Sequence, residues 1–514
     1  MSDTSGLRRL RLQMVGLIAV LLVGGLVYLA GTGRLSLGPS RSTKTAAALT
    51  ASSPPVDQLR AAAAGANLVI CVIDAARADH VGCYGYARST TPNIDGLAER
   101  GLLFEQHFCQ YPDTKPSTAS LFTGQYPDTH LTFGTRKMAE GAFTMARGLA
   151  AAGLATAFFS SNSWASAAMG VAEDFDAAYV YGDKRSRRRG SSEGEPSAGP
   201  RVHIIGSDPQ SLLDAFCEWL DTKGSSRFFA YLHFMPPHYP YLAPEDMTRR
   251  FADRPPGFSR GPFPFPRVSQ EGGPPLHRDP GPELVNLYDA NLLYADWVVG
   301  QVEAALSGAE VLDKTLFIVT ADHGEAFGEH GYTWHTICPY DEALHIPLVV
   351  LFPGLQPPSG RVAALTQTID LLPTIFDVFA IPWPGESVQG RSLLPVLAGQ
   401  RAGVNEYLFA RSSGRPACSV VRDSRHTLLL YEGGELRALY DLHADPGQTR
   451  NIVEDDPERA AALAEAFRTF ARAQTGPPLN FADPDAPRPT VPERRRATMT
   501  DEMREHLKSL GYLQ

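Results

Sequence analysis

The chain is short of positive charge. Its 47 Lys and Arg are outnumbered by 56 Asp and Glu, for a formal charge of −9, so the overall field gives no footing for nucleic acid as a partner. The single basic run, Lys184 to Arg189, lies among Gly, Ser, Glu and Pro and reads as part of a solvated insertion. Cysteines are few and scattered, at 71, 83, 109, 217, 338 and 418, with no C-x-x-C pair, which removes the usual cysteine zinc sites. Disulfides stay open in an oxidising compartment, although Cys71, inside an apolar run, reads as a core residue. Long apolar runs are also wanting, with one exception between Met14 and Gly31, preceded by Arg8, Arg9 and Arg11. That stretch is long enough to cross a bilayer core as a helix, and the basic residues before it place the N-terminus inside and the body outside the cytoplasm, periplasmic or extracellular. A cleaved signal peptide is the rival reading, but Gly-Thr-Gly-Arg after the run offers no small-x-small cleavage site.

What is present is a long chain of 514 residues, 43% hydrophobic and 20% charged, enough for one large domain and a smaller one. Residues 32–64, rich in Ser, Thr, Ala, Gly and Pro, read as a tether. From Asn67, apolar runs at Leu68–Ile73, Ala155–Phe159, Phe228–Phe234, Leu316–Thr320 and Ile346–Phe352 predict strands buried on both faces. Helical patterns at 92–100, 116–123, 140–152, 208–222 and 283–307 lie between them. The alternation predicts an α/β fold, a doubly wound, largely parallel sheet. Residues 182–204 and 254–282 read as surface insertions. Beyond about residue 400, short runs at Glu406–Ala410, Ser419–Arg422, His426–Tyr431 and Leu436–Leu442 predict a small antiparallel sheet covered by a helix near 457–473. A Pro-rich tail, 476–494, leads to a short terminal helix.

In such a sheet ligands bind beyond the carboxyl ends of the strands. Asp74 follows the first strand pattern directly, and Asp322-His323 ends the run Leu316–Ala321. One Asp after a strand often only caps the next helix. Two such ends with an adjacent His can together bind a divalent ion, Mn²⁺, Mg²⁺, Zn²⁺ or Ca²⁺, which would polarise a phosphoryl or sulfuryl oxygen. In Asp113-Thr114-Lys115-Pro116-Ser117, Pro116 suits a first helical turn and Gly124 the helix end. Thr114 then stands at a helix N-terminus, where backbone N–H groups favour an anion, or else serves only as the cap.

The stretches Val72–Gly85 (Val-Ile-Asp-Ala-Ala-Arg-Ala-Asp-His-Val-Gly-Cys-Tyr-Gly), Thr91–Asp95, Pro116–Gly124 and Thr320–Glu325 resemble, in order and spacing, the successive signature motifs of the sulfatase family in the alkaline phosphatase superfamily. Pro237–Tyr241, Gly328–Gly331, Tyr340–Ala343, Asp370–Thr374, Gly390–Leu393 and Tyr440–Pro446 extend the match, so that it covers about 67–455. The resemblance implies a catalytic domain over 67–400 and a small subdomain over 401–475, while hydropathy and composition give an anchor at 1–31, a linker at 32–66 and a tail at 476–514. It implies a metal site at Asp74, Asp322 and His323 beside a nucleophile at Thr114. It also places His238 and His335 along the pocket, with Lys115 and Arg77 adding positive charge, and makes His330, His80 and Asp296 structural.

The chain departs from the family at three positions. Thr114 stands where sulfatases carry the Cys or Ser that becomes formylglycine, Ala75 replaces a second Asp, and Thr118 replaces an Arg. The set Asp74, Thr114, Asp322 and His323 is similar to the lipid-headgroup phosphotransferases of the same superfamily, where a Thr hydroxyl is both metal ligand and nucleophile. The leading expectation is a metal-dependent hydrolase of a phosphate, phosphonate or sulfate ester carried on a glycan, lipid headgroup or small molecule. An envelope phosphoglycerol or phosphoethanolamine transferase and an inactive binding protein are the alternatives.

Overall fold

The computed structural model describes residues 54–473, apart from 135, 163, 166–168, 182–200, 207, 253–281, 355–359, 414–416 and 432–433. The apolar run at Met14–Gly31, the basic run at 184–189 and the tail beyond 473 lie outside the described residues. No described helix is long and apolar enough to cross a membrane.

Among the described residues, eleven strands precede the C-terminal sheet: β1 Asn67–Ile73, β2 Leu102–Phe108, β3 Ala155–Ser160, β4 Ala177–Tyr181, β5 Arg201–Ile205, β6 Phe228–Phe234, β7 Thr315–Ala321, β8 Ala326–Phe327, β9 Thr333–Trp334, β10 Leu348–Leu351 and β11 Gly360–Gln367. Nine of them form one sheet in the order β11-β2-β10-β7-β1-β6-β3-β4-β5, while β8 and β9 form a short ribbon. Every pairing in the large sheet is parallel except those of β10, which runs antiparallel to both β2 and β7. The chain leaves β1 for β2 on one side and returns to β3 on the other, so the crevice beyond β1 is a topological switch point.

Period-two alternation explains the continuous apolar strands. Val69, Cys71 and Ile73 of β1 point into one core, with Leu212 and Phe216 of the helix Pro209–Asp221 and Tyr288 and Leu292 of the helix Pro282–Gly308. Leu68, Ile70 and Val72 point into the other, with Leu121 and Phe122 of the helix Thr114–Thr123 and Leu372 and Phe376 of the helix Leu371–Val378. Each such side chain contributes about 1.5–3 kcal/mol on burial, which is why a strand covered on both faces has no polar positions to spare.

The strands that sequence patterning misses are those without this signal. In β2, Glu105 and Gln106 interrupt the apolar run and are only half-buried. The edge strand β5 exposes its first three residues, so the insertion expected over 182–204 in fact ends in a strand from Arg201. The tether is likewise shorter than its composition suggests. Its last part, Val56–Ala63, is an Ala-rich helix that buries Leu59 and Ala63 against the second core, while Arg60 donates to the Asp377 carbonyl at 3.0 Å.

C-terminal to the large sheet, β12 Leu408–Ser412, β13 Cys418–Arg422, β14 His426–Tyr431 and β15 Leu436–Asp441 form an antiparallel meander covered by the helix Pro457–Ala473. This small sheet braces the site. Arg411 N–H donates to the Gln110 carbonyl at 2.9 Å, and Ser413 N–H to the Thr336 carbonyl at 3.0 Å.

Candidate active site and metal centre

Asp74 leaves the carboxyl end of β1 and Asp322 that of β7; the two strands are paired residue for residue, with Ile73 opposite Ala321. Parallel pairing therefore sets the two carboxylates side by side. Between them Ala75 adopts φ 60, an uncommon left-handed conformation for a residue with a side chain. That twist turns the Ala75 N–H onto Asp322 Oδ1 at 3.1 Å, and the same oxygen accepts the His323 N–H at 2.8 Å. Gly324 closes the loop against the segment carrying Glu342: a Cβ there would lie 2.1 Å from the Glu342 carbonyl oxygen.

Asp74, Asp322 and His323 are the one group of three metal-ligating side chains found among the described residues, with ligand atoms all within 4.8 Å of one another. His323 Nδ1–H donates to the Gly324 carbonyl at 2.8 Å, which leaves Nε2 to face the two carboxylates at 3.5 and 3.7 Å. Asp74 Oδ1 and Asp322 Oδ2 are buried with no hydrogen-bond partner. Two orphaned carboxylate oxygens beside an imidazole nitrogen fit a divalent cation, since buried oxygens of this kind are otherwise costly.

The electrostatics agree with that reading. Burial alone would raise the Asp74 pKa, but His238, a hydrogen bond from His233 and His323 hold it at about 2. Burial and the Asp74 charge push Asp322 up. Burial disfavours a charged His323, yet Asp322 and Asp74 outweigh it and raise its affinity for a proton, and by the same field for any cation placed there.

Thr114 opens the helix Thr114–Thr123. It is not the cap: Asp113 occupies that position and accepts the Lys115 N–H. Thr114 is completely buried, and its Oγ1 lies 3.2 Å from His323 Nε2. Ser117, one turn on, donates to the Asp322 carbonyl at 2.5 Å and ties the helix to the end of β7. The nucleophile position and the metal group are thus brought together by contacts from two elements about 200 residues apart in sequence.

His335 stacks on His323 with ring centres 4.2 Å apart, and His238 lies 5.3 Å beyond His335. His238 donates through Nδ1 to the Tyr239 carbonyl at 2.5 Å, and His335 Nδ1 faces Glu325 Oε2 at 3.3 Å. Burial lowers the pKa of both rings, that of His335 strongly.

The two expected cations have partners of their own. Lys115 is buried, donates to the Gly134 carbonyl at 2.7 Å and lies over the Trp164 ring; burial lowers its pKa to about 8. The Arg77 guanidinium is taken up by Asp79 at 2.8 and 2.9 Å, Glu329 at 2.6 Å and the Glu325 carbonyl at 3.0 Å. His330 bonds Glu342, and His80 bonds Asp289. Asp296 accepts the N–H groups of Asn93 and Ile94 and so caps the helix Pro92–Arg100 from outside.

Three further residues belong to the site. Asn162 donates to Asp74 Oδ2 at 2.6 Å, and His233 Nε2 faces the same oxygen at 3.3 Å. Glu325 is buried behind His335, and burial followed by the Asp74 charge pushes its pKa well up. The rule that singles out Asp74, a polar residue just past a strand, would also have found Asn162 after β3. His233 had a fainter signal, an ionisable side chain inside an otherwise apolar strand.

Comparison with known proteins agrees with this geometry. The family profile described as Sulfatase matches residues 66–381, and one described as N-sulphoglucosamine sulphohydrolase, C-terminal, matches 328–471. A delta 4,5-hexuronate-2-O-sulfatase of Bacteroides thetaiotaomicron is 27% identical over 439 residues, spanning 78% of this chain and 86% of that one. Human iduronate 2-sulfatase is 25% identical over 457 residues, spanning 75% and 77%. Among solved structures, the phosphonate monoester hydrolase of Agrobacterium radiobacter shares the fold with a TM-score of 0.62 at 22% identity, over 80% of this chain and 96% of that one. With one profile covering more than half of its length, and the strand-end carboxylates where the motifs lead, this chain belongs to the sulfatase family.

Proposed function

We propose that the protein is a metal-dependent hydrolase of sulfate or phosphonate esters that uses the Thr114 hydroxyl as its nucleophile. The observation that carries this reading is the approach of Thr114 Oγ1 to His323 Nε2, 3.2 Å, in a buried group with two unpartnered carboxylate oxygens. Asp74, Asp322, His323 and Thr114 would hold the ion, which supplies Lewis-acid polarisation of the ester oxygen and acidifies the hydroxyl. The Thr114 hydroxyl gives its proton to a neutral imidazole as Oγ1 attacks the sulfur or phosphorus atom, the bond to the leaving oxygen breaks with that oxygen taking a proton, and water later releases the threonine ester. His335, stacked on His323, and His238 next to it start as neutral rings because burial lowers their pKa, and they are proposed to take the Thr114 proton and return it to the leaving oxygen. A threonine has a methyl group on its hydroxyl carbon and cannot become the aldehyde of formylglycine, so the route through an aldehyde hydrate is closed to this chain.

The substrate class is an anionic ester. The relatives include sulfatases named for hexuronate and iduronate esters, and the shared fold includes phosphonate monoester hydrolases, so both atoms belong in the test. We further propose that the run Met14–Gly31 anchors the protein with this domain outside the cytoplasm. The test is turnover of matched aryl sulfate, phosphonate and phosphate esters by full-length protein, stripped with chelator and reloaded with metal. Metal-dependent turnover lost in Thr114→Ala and Asp322→Ala, and largely kept in Thr114→Ser, is the expected result. Turnover that survives Thr114→Ala sinks the proposed nucleophile, and a covalently labelled Thr114 peptide by mass spectrometry identifies the intermediate.

A further inference from the structure

Each of the two ligand carboxylates is committed at one of its oxygens. Asp74 Oδ2 accepts the Asn162 amide at 2.6 Å and faces His233 Nε2 at 3.3 Å; Asp322 Oδ1 accepts two backbone N–H groups, at 3.1 and 2.8 Å. The oxygens that remain, Asp74 Oδ1 and Asp322 Oδ2, are the buried, unpartnered ones.

The groups that occupy Asp74 Oδ2 are themselves fixed. Asn162 cannot exchange the ends of its amide, because its Oδ1 accepts the Trp164 N–H at 2.8 Å. Its backbone is closed into a turn by the Ser160 hydroxyl, which donates to the Asn162 carbonyl and accepts the Asn162 N–H, both at 3.1 Å. His233 is oriented from behind by Tyr231, whose phenol lies 2.9 Å from Nδ1. When the phenol donates there, Nε2 carries the proton and donates to Asp74. Tyr231 in turn stacks on Phe158 of β3 and packs against Phe122 of the Thr114 helix. All three residues, Asn162, His233 and Tyr231, are completely buried.

We propose that Asn162 and His233 confine Asp74 to one-oxygen coordination and thereby make this centre selective for a first-row transition ion over Ca²⁺. The inference rests on the metal site of the proposed function but not on the ester that is cleaved. Ca²⁺ seeks about six to eight oxygens and commonly takes both oxygens of a carboxylate. This site offers two single carboxylate oxygens, one hydroxyl and one imidazole nitrogen, a smaller set with a softer donor that suits Mn²⁺ or Zn²⁺. The backbone donors on Asp322 cannot be removed by substitution, so the selectivity that mutation can reach sits at Asp74.

Calorimetric titration of chelator-stripped full-length protein with Mn²⁺ and with Ca²⁺ reads this directly, without turnover. The wild type is expected to bind Mn²⁺ at least about 100-fold more tightly than Ca²⁺. Asn162→Ala removes the shorter of the two contacts on Asp74 Oδ2, and loss of such a supporting hydrogen bond is expected to weaken Mn²⁺ binding about 10–100-fold. Ca²⁺ binding should hold or tighten, so the ratio collapses. His233→Phe, which keeps a ring but loses the donor, should move the ratio the same way and serves if Asn162→Ala does not fold. A merely structural role would weaken both ions alike and leave the ratio unchanged, which overturns the proposal. Equal affinities in the wild type overturn it without any variant.

Discussion

Replacing Arg77 by Met separates structure from catalysis, because sequence alone places this cation among the pocket residues whereas the structure shows it consumed by partners. Its side chain is 5% exposed and lies over the Phe327 ring at 4.9 Å. The two acids it bonds are much wetter, Asp79 at 59% and Glu329 at 38%, so once unpaired they keep most of their hydration. Screened pairs of this kind are worth at most about 1 kcal/mol each. The Glu325 carbonyl, which accepts from Arg77 at 3.0 Å, belongs to a buried residue, and losing its donor costs about 1–3 kcal/mol. The Met side chain replaces most of the apolar stem but not the cation over Phe327, about 0.5–1 kcal/mol. The total is about 3 kcal/mol, or about 3 °C in melting temperature for a domain of this size. The assay is a thermal melt beside kcat and KM measured 20 or more degrees, roughly, below the transition, where a loss of this size leaves the protein folded. The expected outcome is a lower melting temperature with kcat within a few-fold of wild type. An unchanged melt with kcat reduced by more than about 100-fold, a loss of the size that removing a transition-state group causes, would refute the structural assignment and return Arg77 to the pocket.

Gly324→Ala should abolish activity, because its Cβ would stand 2.1 Å from the Glu342 carbonyl oxygen and relieving that clash moves His323; a fully active variant would refute the need for glycine at this position. Lys115 is held at a pKa of about 8 by burial, below the ordinary value of 10.5. Between those values the unfolded chain carries a proton that the folded one has lost, so stability rises with pH across that window. Urea midpoints from pH 7.5 to 9.5, roughly, should climb for the wild type and climb less for Lys115→Met, and parallel slopes would remove Lys115 as the cause. Asp296→Ala strips the external cap from the helix Pro92–Arg100, where Asp296 accepts bonds of 2.7 to 3.1 Å; a loss of about 2 kcal/mol in chemical denaturation with kcat unchanged is expected.

The sequence by itself determined the parts of this protein that depend on local pattern. Apolar runs covered on both faces mark β1, β3, β6 and β7 because burial on two sides favours apolar side chains at most positions. The polar residues that end β1 and β7, Asp74 and Asp322-His323, are legible for the same reason: the run stops where the strand leaves the core. Thr114 is readable as a helix start from Pro116 and Gly124, although the cap itself proved to be Asp113. The edge strand Arg201–Ile205 and the helix Val56–Ala63 were not legible as such. An edge buries little, and Ala-rich segments carry no apolar contrast until something packs on them.

Only the tertiary structure decided which side chains meet. The order β7-β1-β6-β3 sets Asp322, Asp74, His233 and Asn162 in a row, and that order depends on crossovers whose return edge no local periodicity records. It also decided which charges are spent: Arg77 and Lys115 read alike as cations near the motifs, yet one is consumed by Asp79 and Glu329 and the other by a carbonyl and an indole ring. Residue type fixes what a group can do, but its hydrogen-bond partners, contributed from tens to hundreds of residues away, fix whether it remains available to do it.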